Sequence, residues 1–133
     1  MLSAPARFAA HPDAPAQRPL VLVVEDDDAM RAYVCDCLAL LPVRVVEAAD
    51  GHVALGLIAT LRAGDLALVV TDLMMPRMDG RALKAALRAD RRWADVPVLL
   101  VTGEAVRVRD GPVLRKPFNA RTLGASARAL LNL

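Results

Sequence analysis

The stretch from Val69 to Gly80, VVTDLMMPRMDG, constrains the chain most. It begins inside an apolar run, Leu66 to Thr71, whose β-branched residues favour a strand. That run stops at a single carboxylate, Asp72. Pro76 has no N–H to give, so a central strand cannot continue through it. Asp79-Gly80 then supplies a turn or N-cap signal ahead of Arg81-Ala-Leu-Lys-Ala-Ala-Leu87. Asp72 is therefore expected at the carboxyl end of a buried strand, just before a loop. In an open parallel sheet, ligands bind at that edge. Taken alone, Asp72 reads more readily as an ordinary strand-end or turn aspartate; its neighbours overturn that reading.

The rest of the chain repeats this strand–loop–helix unit. Leu20 to Val24 is a continuous apolar run, as in a strand buried on both faces, and it runs into Glu25-Asp26-Asp27-Asp28. A helix is expected from about Asp28 to Leu40, with Pro42 stopping it. Asp27 and Asp28 suit the positive end of its dipole. Val43 to Glu47 alternates, as a more exposed strand near a sheet edge does. Asp50-Gly51 caps a second helix that closes at Gly64. Asp79 to about Arg92 is a third helix, with Arg88, Arg91 and Arg92 on a solvated face. Val96 to Val101 is a fourth strand ending at Thr102-Gly103. Pro112 to Arg115 is a short fifth strand, followed by Lys116-Pro117-Phe118. Asn119 caps a last helix to about Asn132. Strands alternating with helices make a three-layer α/β fold with a parallel sheet. For five strands the flavodoxin-like order 2-1-3-4-5 is expected.

A chain of 133 residues suits one domain and one core. Aromatic residues are 3%, so Ala, Val and Leu must build that core. A formal net charge of +2 argues against nucleic acid as a partner. No run of about 18 apolar residues marks a membrane span, and the first ten residues lack a signal-peptide core. A cytoplasmic location is expected. Residues 1–19, with Pro5, Pro12, Pro15 and Pro19 and no periodicity, read as a flexible arm, leaving 20–133 as the domain. Cys35 and Cys37 are two apart in a helix and do not share a face, so buried thiols are expected and not a metal pair.

The strand ends collect chemistry. Strand one gives Glu25 and Asp26, strand three Asp72, strand four Thr102 and strand five Lys116. In a parallel sheet these ends share one edge. Three carboxylates, a hydroxyl and an ammonium therefore converge on one crevice. Clustered carboxylates raise each other's pKa unless a cation intervenes. An all-oxygen, carboxylate-rich site suits a hard divalent ion such as Mg²⁺. Lys116 and Lys84 are the only lysines in a chain that otherwise uses arginine.

The motifs VLVVEDD, VVTDLMMPRMDG, VLLVTG and VLRKPF, in this order, resemble the receiver domain of two-component response regulators. The resemblance covers about Leu20 to Leu133. It implies that Asp72 is the phosphoacceptor, taking a phosphoryl group from a histidine kinase or a histidine phosphotransfer protein. It implies a Mg²⁺ site made by Asp26, Asp72 and the backbone carbonyl of Met74, with Glu25 acting through a metal-bound water. Thr102 would bond a phosphoryl oxygen, and Lys116 would pair with the acyl phosphate. Met74 and Glu104 would flank the path of the hydrolytic water. A stand-alone receiver is expected, not an enzyme in the ordinary sense, whose output is protein contact or onward phosphotransfer.

Two departures from the family pattern stand out. From Thr102 to Lys116 is 116 − 102 = 14 positions. A helix, a strand and two loops need roughly 20 or more, so the usual fourth helix is shortened or missing. A loop or single helical turn is expected over 103–111. Val113 stands where many receivers carry an aromatic residue. Both features resemble a receiver subclass with a degenerate fourth helix, which often works with histidine kinases of the HWE type. Two rival functions remain open on sequence: a pseudo-receiver that acts only as a protein-binding module, and a Mg²⁺-dependent phosphohydrolase. The second wants another acid near the nucleophile, which Asp72-Leu73-Met74 lacks.

Overall fold

The computed structural model of the chain describes residues 7–8, 18–105 and 110–133. The strands are β1 (Arg7–Phe8), β2 (Leu20–Val24), β3 (Arg44–Ala48), β4 (Leu66–Asp72), β5 (Val98–Thr102) and β6 (Val113–Arg115). The helices are α1 (Asp28–Leu38), α2 (Gly51–Ile58), α3 (Gly80–Arg88) and α4 (Ala120–Leu131). They form one sheet in the order β1-β3-β2-β4-β5-β6. From β3 to β6 every pairing is parallel. Counted from β2, these five strands run 2-1-3-4-5, as expected.

The alternating strand faces sort the core into two clusters, because successive side chains of a strand point to opposite sides. Leu20, Leu22, Val24, Val98 and Leu100 face Ala54, Ile58, Leu83, Leu87 and Trp93 on the α2–α3 side. Val21, Val23, Leu68, Val70, Leu99 and Val101 face Val34, Leu38, Leu123 and Ala127 on the α1–α4 side. Burial on both faces explains why β2 and β5 read as continuous apolar runs. Cys35 and Cys37 are buried and form no disulfide.

Each helix begins at the cap expected. The side chains of Asp27, Asp50, Asp79 and Asn119 accept from the N–H of Met30, Val53, Ala82 and Thr122 respectively. These bonds satisfy N–H groups that have no partner within a helix.

Three particulars differ from the sequence expectation. First, Arg7–Phe8, inside the segment set apart as an arm, pair antiparallel with β3, so this piece joins the sheet edge. Second, β3 is not half-exposed: Val45, Val46, Glu47 and Ala48 are all buried. Its sequence alternates, but Arg31 reaches across from α1 to hold Glu47. Third, α2 and α3 stop early, at Ile58 and Arg88. Beyond Arg88, the Asp90 side chain accepts the Arg92 N–H and the chain turns to bury Trp93. Arg88, Arg91 and Arg92 are exposed, as expected of a solvated face; Arg88 also donates to the Val96 carbonyl, and Arg92 lies 5.4 Å from the Trp93 ring centroid.

Between β5 and β6 none of the described residues is α-helical. Of the loop expected over 103–111, residues 106–109 lie outside the described residues. Asp110, next to that gap, is held by α3: Arg81 donates from Nε to Oδ1 at 2.8 Å and from Nη2 to Oδ2 at 2.9 Å. Lys84 donates to the Asp110 carbonyl at 2.6 Å.

Candidate functional site

The carboxyl ends of β2, β4, β5 and β6 bring Glu25, Asp26, Asp72, Thr102 and Lys116 to one edge of the sheet. Carboxylate oxygens of Glu25, Asp26 and Asp72 lie within 4.8 Å of one another. Asp72 is 8% exposed and Glu25 4%, whereas Asp26 faces solvent. Lys116 Nζ stands 3.3 Å from Asp72 Oδ1 and 3.9 Å from Glu25 Oε1. Thr102 is 1% exposed, and its Oγ accepts the Glu104 N–H at 2.9 Å. Lys116 is tied to Thr102 by its own N–H, which donates to the Thr102 carbonyl at 2.9 Å. The Lys116–Pro117 peptide bond is cis.

The backbone around Asp72 is tightly enclosed. Gly80, the first residue of α3, donates its N–H to the Leu73 carbonyl. A Cβ at position 80 would lie 2.6 Å from the Asp72 carbonyl oxygen and 3.0 Å from Leu73 Cα. Only glycine lets α3 approach the strand end this closely. Met74 is 58% exposed beside the site, while Met75 is buried. Arg77 adopts a φ of 68° and donates to Asp50 at the start of α2, tying the loop after Asp72 to a second helix.

The electrostatics mark a site short of positive charge. Burial pushes the Glu25 carboxyl up to about 7; the Asp27 N–H opposes this, nearby Asp72 adds to it, and Lys116 opposes it. Burial likewise raises Asp72, against the pull of Lys116 and with Asp26 adding to the rise. One lysine does not offset three clustered carboxyls. The donors are all oxygen, they converge, and two are held above their ordinary pKa. That set fits a hard divalent cation.

Glu25, Asp26, Asp72, Met74, Thr102 and Lys116, the residues that the sequence pointed to, are all at this edge, and Val113 packs partly buried against the α2–α3 core cluster. The sequence did not point to Arg31. Its Nη1 donates to the Glu25 carbonyl at 2.8 Å and its Nε to Glu47 Oε1 at 3.0 Å. Arg31 lies three residues after Asp28 in α1, a helical spacing that hints at an ion pair but not at Glu47, 16 positions away.

A sequence model of the response regulator receiver domain matches residues 21–127. The chain is 38% identical over 113 residues to the chemotaxis protein CheY of Pseudomonas aeruginosa, covering 77% of this chain and 88% of that one. It is 33% identical over 130 residues to the sensor histidine kinase TmoS of Ectopseudomonas mendocina, covering 92% of this chain. It spans only 13% of that kinase's length. Among solved structures, the chemotaxis response regulator CheY4 of Vibrio cholerae superposes with a TM-score of 0.77 at 28% identity, covering 86% of this chain and all of the other.

Proposed function

The chain belongs to the response regulator receiver domain family, and on that premise we propose that it is a phosphorylation-controlled switch with Asp72 as phosphoacceptor. Receiver domains are modules of two-component signalling and not enzymes in the ordinary sense. The observation that carries the residue-level reading is the pairing of Lys116 with Asp72 at 3.3 Å, within a cluster of three carboxylates.

The donor is a phosphohistidine on a histidine kinase or a histidine phosphotransfer protein. An Asp72 carboxylate oxygen attacks phosphorus, the P–N bond breaks with its electron pair staying on nitrogen, and the imidazole, already protonated on its other ring nitrogen, leaves neutral. Charge spreads over the phosphoryl oxygens during transfer, so fixed positive charge is what the reaction needs. Lys116 supplies part of it and afterwards pairs with the acyl phosphate. Mg²⁺ held by Asp26, Asp72 and the Met74 carbonyl, with Glu25 acting through a water, would supply the rest. The Thr102 hydroxyl turns from the Glu104 N–H to bond a phosphoryl oxygen. That exchange couples the site to the segment after β5. Output then follows by protein contact or by passing the phosphoryl group onward, in the cytoplasm. No helix among the described residues is long and apolar enough to cross a membrane.

Labelled acetyl phosphate with MgCl₂ tests this. One phosphoryl group should add to the wild type and none to Asp72→Asn. A wild type that takes no label would favour the protein-binding module instead.

A further inference from the structure

The turn Glu25-Asp26-Asp27 carries two of the three clustered carboxylates, yet it lies beyond the last residue of β2. A turn in that position holds its geometry only through bonds to neighbouring elements. Five are present. The Glu25 N–H donates to the Ala48 carbonyl at 3.1 Å, and the Asp27 N–H to Glu25 Oε2 at 3.0 Å. Asp27 Oδ2 accepts from Met30 at the start of α1. Arg31 adds two more: its N–H donates to the Asp27 carbonyl at 2.9 Å, and its Nη1 donates to the Glu25 carbonyl at 2.8 Å. That carbonyl belongs to the peptide joining Glu25 to Asp26, so its direction sets how the two side chains diverge.

Arg31 is itself held in place. Its Nε binds Glu47 Oε1, and both side chains are largely buried, at 13% and 12% exposure. The Asp28 partner is 91% exposed and adds little. A planar guanidinium anchored on Glu47 of β3 therefore presents a fixed donor to the Glu25–Asp26 peptide from the side opposite Asp72's strand. Lysine has one compact ammonium and cannot serve both acceptors in that fork geometry.

We propose that Arg31 is a positioning residue for the cation site, acting through the Glu25 carbonyl to aim Glu25 and Asp26 at Asp72. This rests on the reading of that cluster as a Mg²⁺ site. Groups that orient metal ligands commonly contribute 10–100-fold in metal affinity. Arg31 touches neither cation nor phosphoryl group, so its loss weakens cation binding without removing a charge from the reaction.

The test is calorimetric titration of MgCl₂ into wild type, Asp26→Ala, Arg31→Lys, Arg31→Gln and Glu47→Gln, with thermal melts of each. Arg31→Lys keeps the charge and the aliphatic stem and decides the matter. It should bind Mg²⁺ roughly tenfold more weakly, while acetyl-phosphate labelling at saturating Mg²⁺ returns to nearly the wild-type rate. Glu47→Gln should weaken binding less, since the Glu25 carbonyl keeps its donor. A lowered melting temperature with unchanged Mg²⁺ affinity in these variants would make Arg31 a structural ion-pair residue only and overturn the proposal. Failure of the underlying site looks different: wild type would not bind Mg²⁺, or Asp26→Ala would bind it as wild type does.

Discussion

Lys116 Nζ lies 3.3 Å from Asp72 Oδ1 across 44 residues of sequence, and the parallel order of β4, β5 and β6 is what closes that distance. The same ammonium is 3.9 Å from Glu25. One cation thus serves two buried carboxyls, and the consequences of that shortage can be measured.

The first consequence is pH dependence. The Glu25 carboxyl is raised from 4.5 to about 7, chiefly by burial. The folded state therefore holds its proton more tightly than the unfolded state does. Its contribution to stability is fully present below pH 4.5 and is lost as pH rises to about 7. Without divalent cation, wild type should lose ~1–3 kcal/mol across that window relative to Glu25→Gln. Asp72, also raised, acts in the same direction. Mg²⁺ binding requires the ionised forms, so its affinity should strengthen with pH up to about 7 and level off above. Urea melts at a series of pH values with EDTA or MgCl₂ check both trends.

Gly80→Ala should destabilise the fold. The added Cβ would meet the Asp72 carbonyl oxygen at 2.6 Å and Leu100 Cδ2 at 3.0 Å. The backbone atom cannot give way as a flexible side chain would, so a loss of ~2–3 kcal/mol is expected. Chemical denaturation measures it, and the rate of labelling should fall too, because the strand end itself must shift.

Met74→Asn should speed loss of the phosphoryl group several-fold. Met74 is exposed beside Asp72 and has no polar group to orient an attacking water. An amide there can do so. Decay of the labelled protein after gel filtration gives the rate; equal decay in both proteins would refute the role assigned to position 74.

Arg81→Ala should loosen the segment that precedes β6. Arg81 makes two bonds to buried Asp110, and Lys84 adds a third to its carbonyl. Arg81 is partly exposed, so the cost in global stability should be small. Hydrogen exchange should quicken at 110–115 and not in β2 or β4. Beryllofluoride, a phosphoryl mimic, should quicken exchange of the Glu104 N–H in the wild type, because that N–H loses the Thr102 hydroxyl.

Much of this architecture was legible in the sequence, because local signals carry it. Apolar runs at Leu20–Val24 and Val96–Val101 mark strands covered on both faces, and Asp27, Asp50, Asp79 and Asn119 mark helix starts. The edge residues Glu25, Asp26, Asp72, Thr102 and Lys116 followed from strand ends and parallel order. What was not legible depends on pairs distant in sequence. Burial of Glu47 needs Arg31, and the hold on Asp110 needs Arg81, 29 positions away. The early end of α3 at Arg88 reflects the pull of Trp93 into the core, against helix-permitting residues at 89–92. The pairing of Arg7–Phe8 with β3 rests on main-chain bonds at a sheet edge, which leave little trace in side-chain pattern.

The central claim is that Asp72 carries the phosphoryl group. After reaction with acetyl phosphate and MgCl₂, borohydride reduction converts an aspartyl phosphate to homoserine, and tandem mass spectrometry of the digest locates it. Homoserine at position 72, absent when acetyl phosphate is omitted, is the predicted result. Homoserine at position 26 or elsewhere with Asp72 intact would contradict the account.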